Sequence, residues 1–192
     1  MNNANPVAQI EAWIELARQS ETEPEAMALA TADAQGRPSV RMVLMRGIDE
    51  DGIVFYTNLI SAKAKNVLEN PYASACFHWK STARQVRVEG PVVAVDELEA
   101  DGYFASRHRE SQIGAWASKQ SSRLDSREKL ERRVEKYQTA FAIGPVPRPE
   151  FWSGFRIGFD AIEFWENRPH RLHERWRWTR KEGAWQDEML YP

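Results

Sequence analysis

A chain of 192 residues with 26 Lys and Arg against 28 Asp and Glu has a net charge of −2. That excludes a global basic field for nucleic acid and leaves room only for a local cationic site. Apolar residues at 42% and charged ones at 28% suit one globular domain with a sizeable core. The single cysteine, Cys76, rules out an intrachain disulfide.

No run approaches the ~20 apolar residues of a membrane span, and the N-terminus lacks a signal-peptide pattern. The expectation is a cytoplasmic protein that engages neither membrane nor nucleic acid. One domain over residues 1–192 is expected, with an N-terminal helix in 1–20.

Pro6 opens the first helix, and Val7, Ile10, Trp13, Ile14 and Ala17 follow at helical spacing. A-M-A-L-A-T, S-V-R-M-V-L-M-R and I-V-F-Y-T-N then read as three strands of a β-meander, separated by D-A-Q-G-R-P and D-E-D-G turns. Ser61 caps a short helix, A-K-A-K-N-V-L-E, that stops at Asn70-Pro71. Lys63 in its first turn opposes the helix dipole. Either the lysine extends into water, or an anion such as phosphate sits at the helix start.

Y-A-S-A-C-F-H-W and A-R-Q-V-R-V-E-G-P-V-V-A-V give two further strands, with Cys76 a buried structural thiol in the first. Asp96 caps a helix that puts Tyr103 and Arg107 four apart, with Ser111 four further if the helix lasts. Such a set could clamp phosphate or simply face water. S-Q-I-G-A-W-A-S-K-Q-S-S is small, polar and sparsely charged. Asp125 with Glu128 reads as a capping box for a helix bearing Leu130, Val134, Tyr137 and Phe141.

Strand-like segments resume at Phe151. After Pro169 the residues alternate, so an extended strand would place Arg171, His173 and Arg175 on one face, with Leu172 and Trp176 on the other. Three cationic or potentially cationic groups on one face repel unless something anionic covers them. With Trp165, Trp176 and Trp178 alongside, the segment reads as the wall of an anion pocket. Motifs for zinc, serine hydrolysis, Walker-type phosphate loops and Rossmann dinucleotide binding are absent. The residues point to a phosphorylated, ring-bearing ligand on an antiparallel sheet.

The motifs R-M-V-L-M-R, V-F-Y-T-N, S-x-K at Ser61 to Lys63, A-R-Q-V-R-V-E-G, Y-F-x-S-R, S-Q-I-G-A-W-A-S-K-Q-S-S, F-W-S-G-F-R and H-R-L-H-E-R occur in the order found in pyridoxamine 5′-phosphate oxidases. The chain resembles that family from about residue 24 to its end. The resemblance implies a mainly β fold with flanking helices, an antiparallel FMN-binding split β-barrel working as a homodimer with shared sites. It implies oxidation of pyridoxine or pyridoxamine 5′-phosphate to pyridoxal 5′-phosphate, with dioxygen reduced to hydrogen peroxide.

By similarity, Arg41, Met42, Val43, Leu44, Met45 and Arg46 would line the FMN site together with Tyr56, Thr57 and Lys63. Gln85, Gln120, Ser121, Trp165 and Arg175 would complete it. Arg46, Tyr103, Arg107 and Ser111 would hold the substrate phosphate. Arg171, Leu172 and His173 would meet the substrate, with Arg171 and His173 as the catalytic pair. The alternatives are a split-barrel FMN oxidase on another substrate, such as a phenazine precursor, and a non-catalytic flavin or pyridoxal-phosphate carrier.

The chain departs from the family pattern at four places. Ala62 stands where an arginine is common, which implies weaker FMN retention; Arg46 replaces a lysine. The N-terminus is short and lacks a basic segment, and Met189-Leu190-Tyr191-Pro192 replaces R-L-x-P.

Overall fold

The computed structural model describes residues 5–192, so residues 1–4 of the expected N-terminal segment lie outside it. Helix α1 (Pro6–Ala17) begins as its sequence requires. The Asn5 side chain accepts hydrogen bonds from the Val7 and Ala8 amides, and Pro6 occupies the first turn, where no amide donor is needed. Its Val7, Ile10, Trp13, Ile14 and Ala17 stripe is buried.

The strands are β1 (Ala26–Ala32), β2 (Pro38–Leu44), β3 (Gly47–Asp49), β4 (Gly52–Asn58), β5 (Tyr72–Trp79), β6 (Arg84–Ala94), β7 (Trp152–Ile157), β8 (Ala161–Glu166), β9 (Glu174–Lys181) and β10 (Ala184–Met189). They pair antiparallel in the order β10-β9-β8-β6-β5-β1-β2, with β3-β4-β7 joined at β6. The long β6 curls the assembly: Arg84–Glu89 pairs with β8, whereas Val92–Ala94 pairs with β7. Gly90 sits at the crossing, where a Cβ would come within 2.0 Å of the Gly158 carbonyl oxygen, so no larger residue fits. The result is a split β-barrel filled by Met27, Leu29, Phe55, Phe77, Val86, Ile162 and Phe164.

The meander expected of β1, β2 and the next long strand stops after β2. The Arg46 amide donates to the Val54 carbonyl at 2.7 Å, and β4 pairs with β3 and β7, not with β2. Strand β4 is buried on both faces almost throughout, which a central position demands and a meander edge does not.

Helix α2 (Ala62–Glu69) is capped by Ser61, as read from the sequence, and α3 (Glu97–Ser106) by Asp96. The chain leaves α3 at Arg107, which is extended, so Tyr103, Arg107 and Ser111 do not share one helix face. Ser111 belongs to α4 (Arg109–Ala117), a helix hidden in the small-polar stretch. Ser126, not Asp125, caps α5 (Arg127–Ala140); Asp125 instead pairs with Lys129 at 2.5 Å. Cys76 is half-buried on the outer sheet face, where burial pushes its thiol pKa up.

The largest correction falls after β8. Pro169–Arg171 form a 3-10 turn in which His170 and Arg171 have φ of 59° and 63°, and the strand resumes only at Glu174. Glu166 pairs with Glu174 across the hairpin, so the seven residues between them must reverse the chain. Alternation alone does not reveal that reversal. Arg171 and His173 therefore do not share a strand face with Arg175. Trp176 and Trp178 pack on the core, while Trp165 lies on the opposite side of the sheet.

Candidate active site

A cleft of about 690 Å³ opens where the β2–β3 corner, the end of β4, the start of α2 and the α3–α4 junction converge. Its walls include Met42, Val43, Leu44, Arg46, Tyr56, Thr57, Lys63, Tyr103, Arg107, Ser111 and Gln120, all singled out from the sequence. Local structure explains the convergence. Ser61, fully buried, accepts from the Ala64 amide at 3.3 Å and sets the helix start, so Lys63 projects back over Thr57. Lys63 Nζ donates to Thr57 Oγ1 at 3.3 Å and to Gln120 Oε1 at 3.2 Å, and Thr57 Oγ1 donates to the same Gln120 oxygen at 2.9 Å. The Ala62 amide donates to Ser121 Oγ at 3.2 Å, tying the 118–121 segment to the same helix start.

Arg41 stands behind this group. Its guanidinium donates to the Leu29 carbonyl at 3.1 Å, to Thr31 Oγ1 at 2.8 Å and to Ser39 Oγ at 2.5 Å. Burial holds Arg41 below the usual arginine range. Burial first, and then repulsion from Arg41, lowers the Lys63 ammonium. Arg107 is likewise lowered, chiefly by burial, with Arg46 adding repulsion. Arg107 lies over the Trp152 ring at 4.8 Å, and its buried Nη1 has no hydrogen-bond partner. None of Arg41, Arg46, Lys63 and Arg107 pairs with a carboxylate among the described residues. Arg46 is exposed and close enough to Glu25 to help lower that carboxyl's pKa, but Arg41, Lys63 and Arg107 are desolvated cations with no paired carboxylate, which is costly unless an anion joins them.

Tyr56 and Tyr103 stack at 4.0 Å, and Tyr56 stacks on Trp152 at 5.3 Å, forming one aromatic side of the cleft. Burial, with Glu99 next in effect, pushes the Tyr56 phenol up to about 12. It stays protonated near neutrality and serves as a donor and a stacking surface, not as a base.

The other singled-out residues lie elsewhere. Met45 is in the core at 5% exposure. Gln85, Trp165 and Arg175 face one another in cross-strand register on β6, β8 and β9, and the His173 ring lies 4.6 Å from Trp165. Arg171 and the exposed Leu172 occupy the adjoining turn. None of these residues lines the cleft; along the curled sheet, β6 is three strands from β2 and two from β4, and β9 is five and four.

Asn58, Ser106, His108, Gly114, Ala115, Ser118 and Trp152 also line the cleft and were not singled out as site residues. For Gly114, Ala115 and Ser118 the signal was the run of small residues itself, which keeps the α4 wall low. Trp152 carried only the F-W-S-G-F-R motif.

Residues 9–141 match the family model described as pyridoxamine 5′-phosphate oxidase, and residues 152–192 match the pyridoxine 5′-phosphate oxidase C-terminal dimerisation region. The pyridoxine/pyridoxamine 5′-phosphate oxidase of Rhodospirillum rubrum is 52% identical, the alignment covering 100% of this chain and 98% of that protein. The protein of the same name from Gluconobacter oxydans is 53% identical over 98% of this chain and 95% of its own length. Among solved structures, PhzG from Burkholderia lata, in complex with tetrahydrophenazine-1-carboxylic acid, superposes with a TM-score of 0.94 at 31% identity, covering 100% of this chain and 94% of that one. A split barrel bearing these motifs, matched by both family models and by full-length relatives, makes the chain a member of the pyridoxamine 5′-phosphate oxidase family.

Proposed function

We propose that this protein is an FMN-dependent oxidase of vitamin B6 metabolism. It converts pyridoxine or pyridoxamine 5′-phosphate to pyridoxal 5′-phosphate and reduces dioxygen to hydrogen peroxide, acting as a homodimer in the cytoplasm. The observation that carries this reading is the cleft lined by Arg46, Lys63 and Arg107 and backed by Arg41, none paired with a carboxylate, with an orphaned buried Arg107 donor. It offers two phosphate-sized cationic ends. Arg41, Lys63 and the Ser61-capped start of α2, with Ser121 beside it, form one, suited to the FMN phosphate; Arg46, Tyr103, Arg107 and Ser111 form the other, suited to the substrate phosphate.

FMN, when bound, supplies the two-electron acceptor that is reoxidised by dioxygen. The chain's own residues bind and orient. Arg107, braced by Trp152, and Arg46 fix the substrate's phosphate end, while Lys63 and Gln120 fix the cofactor's phosphate end. The low, small-residue wall at Gly114 and Ala115 leaves room for a ring. Arg171 steers and polarises the substrate, and His173, held against Trp165 with its Nδ1 accepting from the Arg168 amide at 3.3 Å, assists proton movement.

Because the Gln85–Trp165–Arg175 row and Arg171 stand strands away from the cleft of the same chain, a second copy brings them to it. The C-terminal dimerisation match, covering β7 to β10, fits that arrangement.

A phenazine-type substrate is the second reading, prompted by the PhzG superposition. The Tyr103, Arg107 and Ser111 set favours a phosphorylated one. The test is an absorbance spectrum of the purified protein, followed by anaerobic addition of pyridoxamine 5′-phosphate. A flavin band that bleaches, and peroxide on readmitting air, are expected. A protein that takes up no FMN when it is supplied, or a flavin band that does not bleach, overturns the proposal.

A further inference from the structure

Glu163 on β8 is the one acidic residue in the buried set of the described chain, at 5% exposure. Burying a carboxylate is unfavourable unless cations and hydrogen bonds compensate it. Two arginines do so, from the strands on either side. Glu163 Oε1 accepts from Arg175 Nε at 2.9 Å and lies 2.8 Å from Arg175 Nη2, and Oε2 accepts from Arg87 Nη2 at 2.9 Å. Arg175 is not the residue directly across from Glu163; Arg177 is. The carboxylate reaches diagonally to Arg175, leaving Arg177 only a 3.8 Å approach to Glu89 and an unpartnered Nε. The remaining arm of the same fork is also fixed, because Arg175 Nη1 donates to the Tyr191 carbonyl at 3.0 Å and the Leu190 amide donates back to the Arg175 carbonyl at 3.0 Å.

We infer that Glu163 is a positioning residue for the flavin site: it draws the Arg175 guanidinium out of line with its own cross-strand neighbour and locks the face it presents beside Trp165. The C-terminal Leu190–Tyr191 segment holds that orientation from the other side, and Arg87 balances the buried charge. This deepens the proposed function and rests on its reading that Arg175 meets the flavin. A glutamine at 163 would keep the shape but give two guanidinium groups one carbonyl oxygen to share, with an amide donor facing one of them. Arg175 would then be free to turn.

The test is a double-mutant cycle on the full-length protein, with FMN dissociation constants from equilibrium dialysis and thermal midpoints read in parallel. Glu163→Gln and Arg175→Gln are each expected to weaken FMN by about tenfold, the size of one charge-assisted hydrogen bond. The double variant is expected to lose no more than either single one, because both remove the same contact. Glu163→Asp, which keeps the charge, should recover part of the affinity, and it reads the same quantity should Glu163→Gln not fold. Multiplicative losses, or a lowered thermal midpoint with unchanged FMN affinity, would assign Glu163 a purely structural role and overturn the inference. Wild-type protein that takes up no FMN would instead sink the functional reading beneath it.

Discussion

Lys63 shows most plainly how one residue links the fold to the ligand. Burial and Arg41 hold its pKa below the ordinary lysine value in the free protein. A bound phosphate favours the charged ammonium and raises that pKa again. The binding contribution of Lys63 is therefore complete below its free-protein pKa. It is lost as pH rises from that depressed value through the higher one of the complex. FMN affinity, titrated by flavin fluorescence between about pH 7 and 10, should weaken on the alkaline side. Lys63→Met should bind weakly throughout and lack that limb. An identical alkaline limb in the variant would show that another group titrates. The sequence left Lys63 open between water and anion. What it could not show was Arg41 standing behind it or Gln120 facing it, because those approaches span 22 and 57 positions along the chain.

At the scale of elements, the site depends on how helix ends are tied. Helices α4 and α5 cap each other. Arg109 donates to the Phe141 and Gly144 carbonyls beyond α5, and Arg133 donates to the Ala117 carbonyl at 2.6 Å at the end of α4. That reciprocal bracing fixes the segment from which Gln120 and Ser121 emerge. The start of α2 is the other tie. Ser61→Ala removes its cap and should cost about 1 kcal/mol, a fall of about 2–4 °C in thermal midpoint for a chain of this size. FMN affinity should fall with it, since Lys63 is aimed by that turn. A lowered midpoint with unchanged affinity would mean that the helix start does not shape the phosphate end.

Elements signalled by local chemistry were legible: the Pro6 start of α1, the Ser61 and Asp96 caps, and the alternation of β5 and β6. Those decided by distant partners were not. Strand β4 pairs with a strand that begins almost a hundred residues later. Helix α4 hides in a stretch of small residues with weak periodicity, and the reversal at Pro169–Arg171 looks extended to any two-residue pattern.

For the whole molecule, the residues singled out from sequence fall into two groups that one chain keeps apart. The cleft holds Arg46, Lys63, Tyr103 and Arg107; the outer sheet face and its turn hold Gln85, Trp165, Arg171, His173 and Arg175. A symmetric pair would set the cleft of each chain against the outer face of its twin and form two equivalent sites. The most direct measurement is therefore complementation. Arg107→Ala damages only the cleft and Arg171→Ala only the opposing face, so each homodimer should be nearly inactive. Co-refolded in equal amounts, half the dimers are mixed, and each mixed dimer contains one site with no substitution. Pyridoxine 5′-phosphate oxidase activity should return to about a quarter of the wild-type value. If the mixture stays as inactive as its components while mixed dimers are demonstrably present, each site is confined to one chain and the account is wrong.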